Sequence, residues 1–302
     1  MSLTRNSFAA PGAAGDCEPA PAMRDYLDQT LARGAIVIPE KDAHQYRSAL
    51  TKVANLKNAR RLAEKLRDKY LLGKRQEFGF IGNQVGTHLR MVRNSRKLGA
   101  HYTDLGRLDR FVYYPLHVPG DMALTIRSPQ YLDQLALVDY LCRTLPDGAQ
   151  LALKEHPAMV GALDADRMIG LLERYDNLAL IPPTANNYAV MRRARCVVTV
   201  NSKSGAEAGL LGKSVFVLGD AFYRKAPFAL PVEAVTDLPP RLAALLAEAP
   251  ADLSAPAHLG WFACLWRQSW PGELYAASEA KAEEFARSLA DAVAQGAGSI
   301  PS

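Results

Sequence analysis

The sequence predicts an α/β protein whose core is a doubly wound, parallel, Rossmann-like sheet, with an α-helical preface before it and further helices after it. The first observation is a series of short, continuous apolar runs, which is typical of strands buried on both faces. The second is a helix-like stretch between each successive pair of runs, because alternating strands and helices favour βαβ units. The length of 302 residues and the hydrophobic fraction of 49% allow one large or two modest domains.

The apolar runs predict five strands, of which the first is "FVYYP". The strands are expected at residues 111–115, 151–154, 178–183, 196–201 and 214–219. The helices between them are expected at 130–145, 164–175, 188–193 and 205–211, and three later helices at 239–246, 258–270 and 274–293. Residues 110–302 are therefore expected to form the α/β domain with its C-terminal helices.

The residues before the predicted sheet divide into two parts. Residues 1–22 are rich in Ala, Pro and Gly without periodicity, so a disordered lead is expected. Residues 23–109 are expected to form a basic helical region, with an amphipathic helix over 42–72 and a second helix over 85–98. The formal net charge of the chain is +5, and this basic region should attract anions. Nucleic acid, an anionic lipid and an acidic glycan all fit, and so does a solvated helix face without a ligand.

Several classes of protein are disfavoured by what the sequence lacks. No apolar stretch approaches the roughly 18–20 residues of a membrane span, and the N-terminus lacks the apolar centre of a secretory signal, so a cytoplasmic protein is expected. The four cysteines are widely spaced, so neither a disulfide framework nor a zinc site is expected, and we assign no metal or cofactor. The absence of G-x-G-x-x-G after the first strand and of G-x-x-x-x-G-K-[ST] disfavours a standard dinucleotide site or P-loop.

Polar residues follow the first two predicted strands. In an open parallel sheet, ligands bind beyond the carboxyl ends of the strands, so these loops should share one rim. His117 and Asp121 follow the first strand, and Lys154, His156 and Pro157 follow the second. Lys154 and His156 could donate to a phosphate or a leaving group, and Asp121 could act as a nucleophile or base. A structural histidine and a turn aspartate would explain the same residues.

The stretch after the fourth strand, "NSKSGAE", has the pattern of an anion-binding loop. Asn201 and Ser202 precede a predicted helix whose first free amides, at 204–206, could bind a phosphate. Gly205 would permit close approach to the backbone, and Glu207 could accept hydrogen bonds from ribose hydroxyls. The alternative is an ordinary helix N-cap, which would stabilise the helix by about 1 kcal/mol.

Taken together, "FVYYPLHVPGD", "LALKEHP" and "CVVTVNSKSGAEAGLLGKSVFVLGDAFY" resemble the bacterial capsular polysaccharide synthesis and export family, which includes retaining β-Kdo transferases. The resemblance covers roughly residues 110–225. It implies a GT-B-like C-terminal domain with a nucleotide-sugar site. GT-B enzymes usually also carry an N-terminal Rossmann-like domain for the acceptor, whereas only one short apolar run, "AIVIP", and the basic helices precede Arg110 here.

The resemblance also implies roles for individual residues. His156 and Pro157 match a His-Pro motif that holds the cytidine monophosphate part of the donor. The phosphate loop is matched by Ser202, Lys203, Ser204 and Gly205, and the acidic residue of the following helix by Glu207. β-Kdo transferases have a Gln and, four residues later, an Asp implicated as the nucleophile. Here the corresponding stretch runs from His117 to Asp121, so the Asp is kept and the Gln is replaced by His.

These patterns favour a glycosyltransferase that uses CMP-Kdo or a similar CMP-linked sugar in capsule or lipopolysaccharide synthesis. In this interpretation the catalytic residues are Asp121, His117 and His156, and the donor-binding residues are Lys154, His156, Pro157, Asn201, Ser202, Lys203, Ser204, Gly205 and Glu207. The acceptor would be an acidic glycan or glycolipid, met in the cytoplasm or at the inner membrane, and a partner subunit could supply an acceptor domain.

Two other functions remain as alternatives. One is a non-catalytic sugar-nucleotide-binding or scaffolding subunit of a capsule assembly complex, which the missing acceptor domain would explain. The other is a nucleic-acid-binding protein, which is disfavoured because no recognised nucleic-acid motif accompanies the basic charge.

Overall fold

A parallel sheet of six strands forms the centre of the computed structural model, which describes residues 3–4, 18–28, 56–74, 81–249, 256–267, 269–270 and 278–297. The strands are β1 (Phe111–Pro115), β2 (Gln150–Lys154), β3 (Leu178–Ile181), β4 (Cys196–Thr199), β5 (Val215–Val217) and β6 (Ala229–Pro231). Their spatial order is β3-β2-β1-β4-β5-β6, with every neighbouring pair parallel. This is the strand order of a doubly wound Rossmann-type sheet, so the predicted fold class is confirmed.

Helices cover both faces of the sheet. In chain order they are α1 (Pro21–Leu27), α2 (Leu56–Tyr70), α3 (Ile81–Leu98), α4 (Met122–Thr125), α5 (Gln134–Thr144), α6 (Ala165–Arg174), α7 (Asn187–Arg193), α8 (Lys203–Leu210), α9 (Leu238–Ala247), α10 (Pro256–Arg267) and α11 (Glu279–Ala297). Buried residues of α1, α7, α8 and α10 pack on one face, and those of α3, α5, α6 and α9 on the other. Within the described ranges, no helix combines the length and apolarity needed to cross a membrane.

The strands read as continuous apolar runs because both of their faces are buried. Phe111 and Tyr113 of β1 belong to the cluster on the α7 and α8 side, whereas Val112 and Tyr114 belong to the cluster on the α5 and α6 side. The five predicted strands are all confirmed, with ends that differ by at most two residues. The edge strand β6 was missed, because it has three residues and ends on Pro231, a residue that strands tolerate at an edge.

The helices before the sheet pack onto the α/β domain. Met23 and Leu27 of α1 are buried in one core cluster, and Leu98 of α3 is buried in the other. Helices α1 and α3 therefore pack directly onto the α/β domain. α1 begins inside the stretch that we expected to be disordered, because its apolar side chains are covered by the core.

Leu3–Thr4, in the same stretch, pairs antiparallel with Ser269–Trp270. The expectation of disorder is therefore wrong at these residues, because the pairing partner lies far away in sequence. The remaining residues of 1–17, the run "AIVIP" and the first part of the predicted 42–72 helix lie outside the described residues.

Cys264 is disulfide-bonded, although the wide spacing of the cysteines indicated no disulfide framework. The spacing of cysteines along a chain does not show which thiols meet in space, so this bond had no sequence signal. Cys142 and Cys196 are free and buried, and burial raises the pKa of each thiol to about 12.

Candidate active site at the switch point of the sheet

The strand order reverses between β1 and β4, and the crevice of a doubly wound sheet opens at this point. The loop after β1 carries His117, and the loop after β4 carries Asn201. The backbone N–H of Asn201 donates to Nε2 of His117 at 3.1 Å. A hydrogen bond therefore joins the two loops that border the crevice.

His117 is a fixed, neutral residue of this crevice. It is only 6% exposed, and its backbone N–H and C=O both bond to the side chain of Gln134, at 2.7 and 3.0 Å. Burial lowers the pKa of His117 to about 4; the charge of Asp121 opposes this shift and His156 adds to it. Asp121 and His156, the other two predicted catalytic residues, therefore each lie within electrostatic reach of His117.

The imidazole of His117 has one satisfied nitrogen. Because Nε2 accepts from Asn201, the ring proton belongs on Nδ1. Nδ1 is buried and has no hydrogen-bond partner among the described residues. This arrangement orients the two loops, and it leaves His117 poorly suited to exchange a proton at neutral pH.

Asp121 caps α4, a short helix that the sequence did not predict. Its Oδ1 accepts from the backbone N–H of Ala123 at 3.4 Å, and the residue is exposed. The turn role that we considered for Asp121 is therefore present in the structure. The exposed carboxylate can also meet a ligand at the mouth of the crevice.

Lys154 and Glu155 leave the end of β2 in opposite directions, because successive strand residues point to opposite faces. Lys154 shares the face of Ala152, on the side of α7 and α8, and is only 4% exposed. Burial lowers the pKa of Lys154 to about 8, and the negative charge of Glu207 partly opposes this shift. Lys154 makes no hydrogen bond or ion pair to any residue that the structure describes, so it is a buried cation without a direct partner.

Glu155 braces the loop that follows β2. Its Oε1 accepts from the backbone N–H of Gly161 at 2.9 Å, and its Oε2 accepts from the hydroxyl of Tyr102 at 3.5 Å. Burial raises the pKa of Glu155, and these two hydrogen bonds oppose the shift. The carboxylate is 3% exposed and lies on the sheet face opposite Lys154, so its role is structural.

His156 and Pro157 form the turn that directly follows Glu155. His156 caps the 3-10 helix Pro157–Met159, with Nδ1 accepting from the backbone N–H of Ala158 at 3.3 Å. The ring proton therefore belongs on Nε2, which is the atom that could donate to a phosphate. Pro157 occupies the first position of that helix, where its missing N–H costs no hydrogen bond.

The loop before α8 satisfies much of its own backbone. Oγ of Ser202 accepts from the N–H of Ser204 at 3.2 Å, and the N–H of Gly205 donates to the carbonyl of Ser202 at 3.0 Å. The expectation that these two amides are free for an anion is therefore wrong. The alternative, an ordinary N-cap, is present, because the side chain and the carbonyl of Ser202 accept hydrogen bonds from these two amides.

Glycine is required at position 205 because Tyr223 packs directly against it, and not because a ligand approaches the backbone there. A Cβ atom at this position would lie 2.2 Å from the hydroxyl oxygen of Tyr223. That hydroxyl donates to the carbonyl of Ser202, so the ring is fixed against the loop. The sequence offered no signal for this contact beyond a tyrosine in the loop after the fifth strand.

A network of hydrogen bonds lies near Lys154 and is centred on Asn187. Nδ2 of Asn187 donates to Oγ of Ser204 at 3.2 Å and to Oε2 of Glu207 at 3.4 Å, while the hydroxyl of Tyr113 donates to Oδ1 of Asn187 at 2.7 Å. Burial raises the pKa of Glu207, whereas its ion pair with Lys203, at 3.4 Å, lowers it. Asn187 lies in the stretch "PPTANN" after the third strand, whose pattern does not show which asparagine faces the site.

The side chain of Asn201 holds α4 in place. Its Nδ2 donates to the carbonyl of Ala123 at 2.8 Å and to Oγ of Ser128 at 2.9 Å. Its Oδ1 lies against Gly219, where a Cβ atom would approach to 2.4 Å. The amide nitrogen of this predicted donor-binding residue is therefore occupied by contacts within the protein, whereas its Oδ1 is buried without a hydrogen-bond partner among the described residues.

The crevice combines two groups of opposite chemical character. Cationic and donor groups, Lys154 and Nε2 of His156, lie at the end of β2, and exposed Asp121 lies at the end of β1. This pairing suits an anion that leaves from a carbon atom near a carboxylate. Among the residues that the structure describes, no three His, Cys, Asp or Glu side chains gather as a metal site.

Comparison with known proteins gives matches in sequence and in structure. The chain is 32% identical to protein FixF of Sinorhizobium fredii (strain NBRC 101917 / NGR234) over 124 residues, which are 40% of this chain and 29% of FixF. The match thus spans less than a third of that relative's length.

Two solved structures are similar over part of their length. KpsC of Thermosulfurimonas dismutans, described as a β-Kdo 2,7 transferase, matches with a TM-score of 0.37 and 19% identity, over 67% of this chain and 61% of that chain. AviGT4, described as a glycosyltransferase involved in avilamycin A biosynthesis, matches with a TM-score of 0.37 and 16% identity, over 63% and 56%.

One family model covers most of the region that builds the site. The family described as capsule polysaccharide biosynthesis protein matches residues 28–227, which are 200 of the 302 residues. This range contains β1 to β5 and the loops on both sides of the crevice. The chain therefore belongs to the capsule polysaccharide biosynthesis protein family.

Proposed function

We propose that this protein is a glycosyltransferase that takes Kdo or a similar acidic sugar from a CMP-linked donor and adds it to a capsule-type or lipopolysaccharide-type glycan. Its family supports a role in capsule synthesis, and its sequence motifs resemble those of β-Kdo transferases. The observation that carries the proposal is Lys154, a buried cation without a hydrogen bond among the described residues, at the carboxyl end of β2.

A buried cation is costly unless something compensates its charge. Glu207 attracts Lys154 but makes its ion pair with Lys203, so this compensation is incomplete. A phosphate bound in the crevice would supply the missing negative charge. Lys154 is therefore best explained as part of an anion site whose cost is offset when the ligand binds.

In the proposed reaction, the bond between the anomeric carbon and the CMP phosphate breaks, and the electron pair leaves with CMP. Lys154 and Nε2–H of His156 donate to the departing phosphate and stabilise its charge. Asp121 attacks the anomeric carbon, or stabilises its positive charge. The acceptor hydroxyl then bonds to that carbon, any bond to Asp121 breaks, and the hydroxyl proton passes to the phosphate of the bound CMP. His117 is a positioning residue in this scheme, because its Nε2 is occupied and its pKa is far below neutral.

The first turns of α8 contribute through side chains in this proposal. Oγ of Ser204 accepts from Asn187, so its hydroxyl proton can be directed at a phosphate oxygen. Glu207, held by Asn187 and Lys203, is suited to accept from ribose hydroxyls.

A non-catalytic sugar-nucleotide-binding or scaffolding subunit remains the second candidate. The observation that favours it is Asp121, whose carboxylate already caps α4. Such a protein would bind CMP and would not transfer a sugar.

Release of CMP from CMP-Kdo, followed together with the mass of an added acidic oligosaccharide, tests the proposal. Asn at position 121 keeps the helix cap and removes the charge, so Asp121→Asn should bind CMP normally and lose about a hundredfold or more in rate. Asp104→Asn is the matched control, because Asp104 caps the 3-10 helix Leu105–Arg107 through the N–H of Gly106. CMP binding by the wild type without any transfer would favour the scaffolding role, and full activity of Asp121→Asn would remove Asp121 from the mechanism.

A further inference from the structure

We infer that a groove between α3 and the loop before α6 binds a carboxylated segment of the glycan acceptor. The inference rests on the proposed function, to which it adds an acceptor site. The groove has a volume of about 700 Å³. It is lined by Leu89, Arg90, Arg93 and Asn94 of α3 and, opposite them, by residues 162–164 and Asp166.

The groove presents two exposed arginines. Arg90 and Arg93 are exposed and make no hydrogen bond or ion pair to the residues described in the structure. They are three positions apart on α3, so their side chains lie on the same face of the helix. A guanidinium group binds a carboxylate through two parallel hydrogen bonds, so this pair suits an acidic ligand.

The acidic residues of the groove already have partners. Asp164 caps α6 and accepts from the backbone N–H groups of Asp166 and Arg167, at 3.0 and 3.1 Å. The carboxylate of Asp166 forms an ion pair with Lys97. The charge of Arg93 also lowers the pKa of Asp166, but less than Lys97 does, so the main partner of each carboxylate lies outside the arginine pair.

The walls of the groove are held together before any ligand binds. Nδ2 of Asn94 donates to the carbonyls of Gly161 and Leu163, at 3.0 and 2.9 Å. Gly161 has a φ of +77°, and a Cβ atom there would lie 2.2 Å from the carbonyl oxygen of Met91. Because the loop touches the backbone of α3, the groove is preorganised, which reduces the entropy lost on binding.

The groove is connected to the donor side of the crevice. The N–H of Gly161 donates to Oε1 of Glu155, and Glu155 directly precedes His156. One short loop therefore forms a wall of the groove and carries the histidine assigned to the donor phosphate.

The lining favours a glycan over a nucleic acid. Leu89 is 60% exposed and offers an apolar surface to the C–H face of a sugar ring. None of the residues that line the groove is aromatic, whereas binding of single-stranded nucleic acid relies on bases stacked on aromatic side chains.

Titration of the full chain with hexameric oligogalacturonate and with an α2,8-linked sialic acid hexamer tests the inference, with maltohexaose as the neutral probe of equal length. Arg90→Gln/Arg93→Gln should weaken binding of at least one acidic probe roughly tenfold or more. Arg96→Gln/Arg107→Gln removes the same charge from exposed residues that do not line the groove, and it should change the affinity little. CMP should bind equally well to both double variants, because neither touches the donor side.

Three results would overturn the inference. They are failure of both acidic hexamers to bind the wild type, equal weakening by the two double variants, and binding of a random oligonucleotide with the same dependence on Arg90 and Arg93. Binding of CMP to the wild type tests the proposed function separately. A wild-type protein that binds an acidic hexamer but does not bind CMP would reject the donor assignment and would support a glycan site in the groove.

Discussion

The backbone amide of Asn201 and Nε2 of His117 form a hydrogen bond of 3.1 Å across the switch point of the sheet. The two residues follow strands β4 and β1, which are neighbours in space although they are far apart in the chain. The bond fixes the two loops that carry Ser202 and Asp121. Neutral His117 therefore shapes the crevice by holding the backbone of the loop after β4 in place.

Acid should destabilise the folded protein through His117. Its folded-state pKa of about 4 lies below the usual 6.5, so the unfolded chain takes up the proton first as the pH falls. This contribution to stability is complete above pH 6.5 and is lost between pH 6.5 and about 4. In His117→Gln, which keeps an acceptor for the Asn201 amide, urea unfolding should show a pH dependence smaller by roughly 2–3 kcal/mol over that range.

His88→Gln, at an exposed position on α3, provides the control for this measurement. It should leave the acid dependence close to that of the wild type. An equal change in the two variants would show that His117 is not the residue responsible.

Replacement of Lys154 by Met should stabilise the ligand-free protein at pH 7. The folded-state pKa of Lys154 is about 8 and the usual value is 10.5, so burial of the charge costs stability at every pH below 8. That cost disappears as the pH rises from about 8 to 10.5. Lys154→Met should raise the free energy of unfolding by roughly 1–3 kcal/mol at pH 7, and the gain should shrink towards pH 10.5.

Lys225→Met, at an exposed position, should change stability by about 0.5 kcal/mol or less. A destabilised Lys154→Met would mean that the ammonium group has a strong partner within the protein. The argument for an anion site at the end of β2 would then lose its basis.

Gly205→Ala should destabilise the protein without any involvement of a ligand. The added methyl group would collide with Tyr223, whose ring is fixed by its bond to the carbonyl of Ser202. We expect a loss of about 1–3 kcal/mol in urea unfolding. Gly170→Ala, in α6 with open space around it, should instead gain up to about 1 kcal/mol from helix propensity. An unchanged free energy of unfolding in Gly205→Ala would show that Tyr223 moves aside easily.

Much of the fold could be predicted from the sequence because its strands are buried on both faces. Continuous apolar runs located β1 to β5, and the rule for the carboxyl ends of parallel strands placed Lys154 and His156 on the rim. Strand alternation accounts for the opposite directions of Lys154 and Glu155, although the pattern gave no sign that Glu155 would bind Gly161.

Other features depend on contacts between distant segments, which no local pattern records. The bonds of Asn201 to His117 and of Asn187 to Glu207 each join two separate loops or helices. The N-cap at Ser202 shows a different difficulty, because the same residues can satisfy their own amides or bind a phosphate. Only the geometry decides between these two uses.

Calorimetric titration of CMP, UMP and GDP into the wild type, His156→Ala and Lys154→Met tests the central claim most directly. The account predicts that CMP binds the wild type selectively, and that each variant weakens CMP about tenfold or more by removing a charge or donor from the phosphate. Lys225→Met should bind CMP like the wild type. Absence of nucleotide binding, or CMP binding that is unchanged in both rim variants, would contradict the assignment of this crevice to a CMP-linked donor.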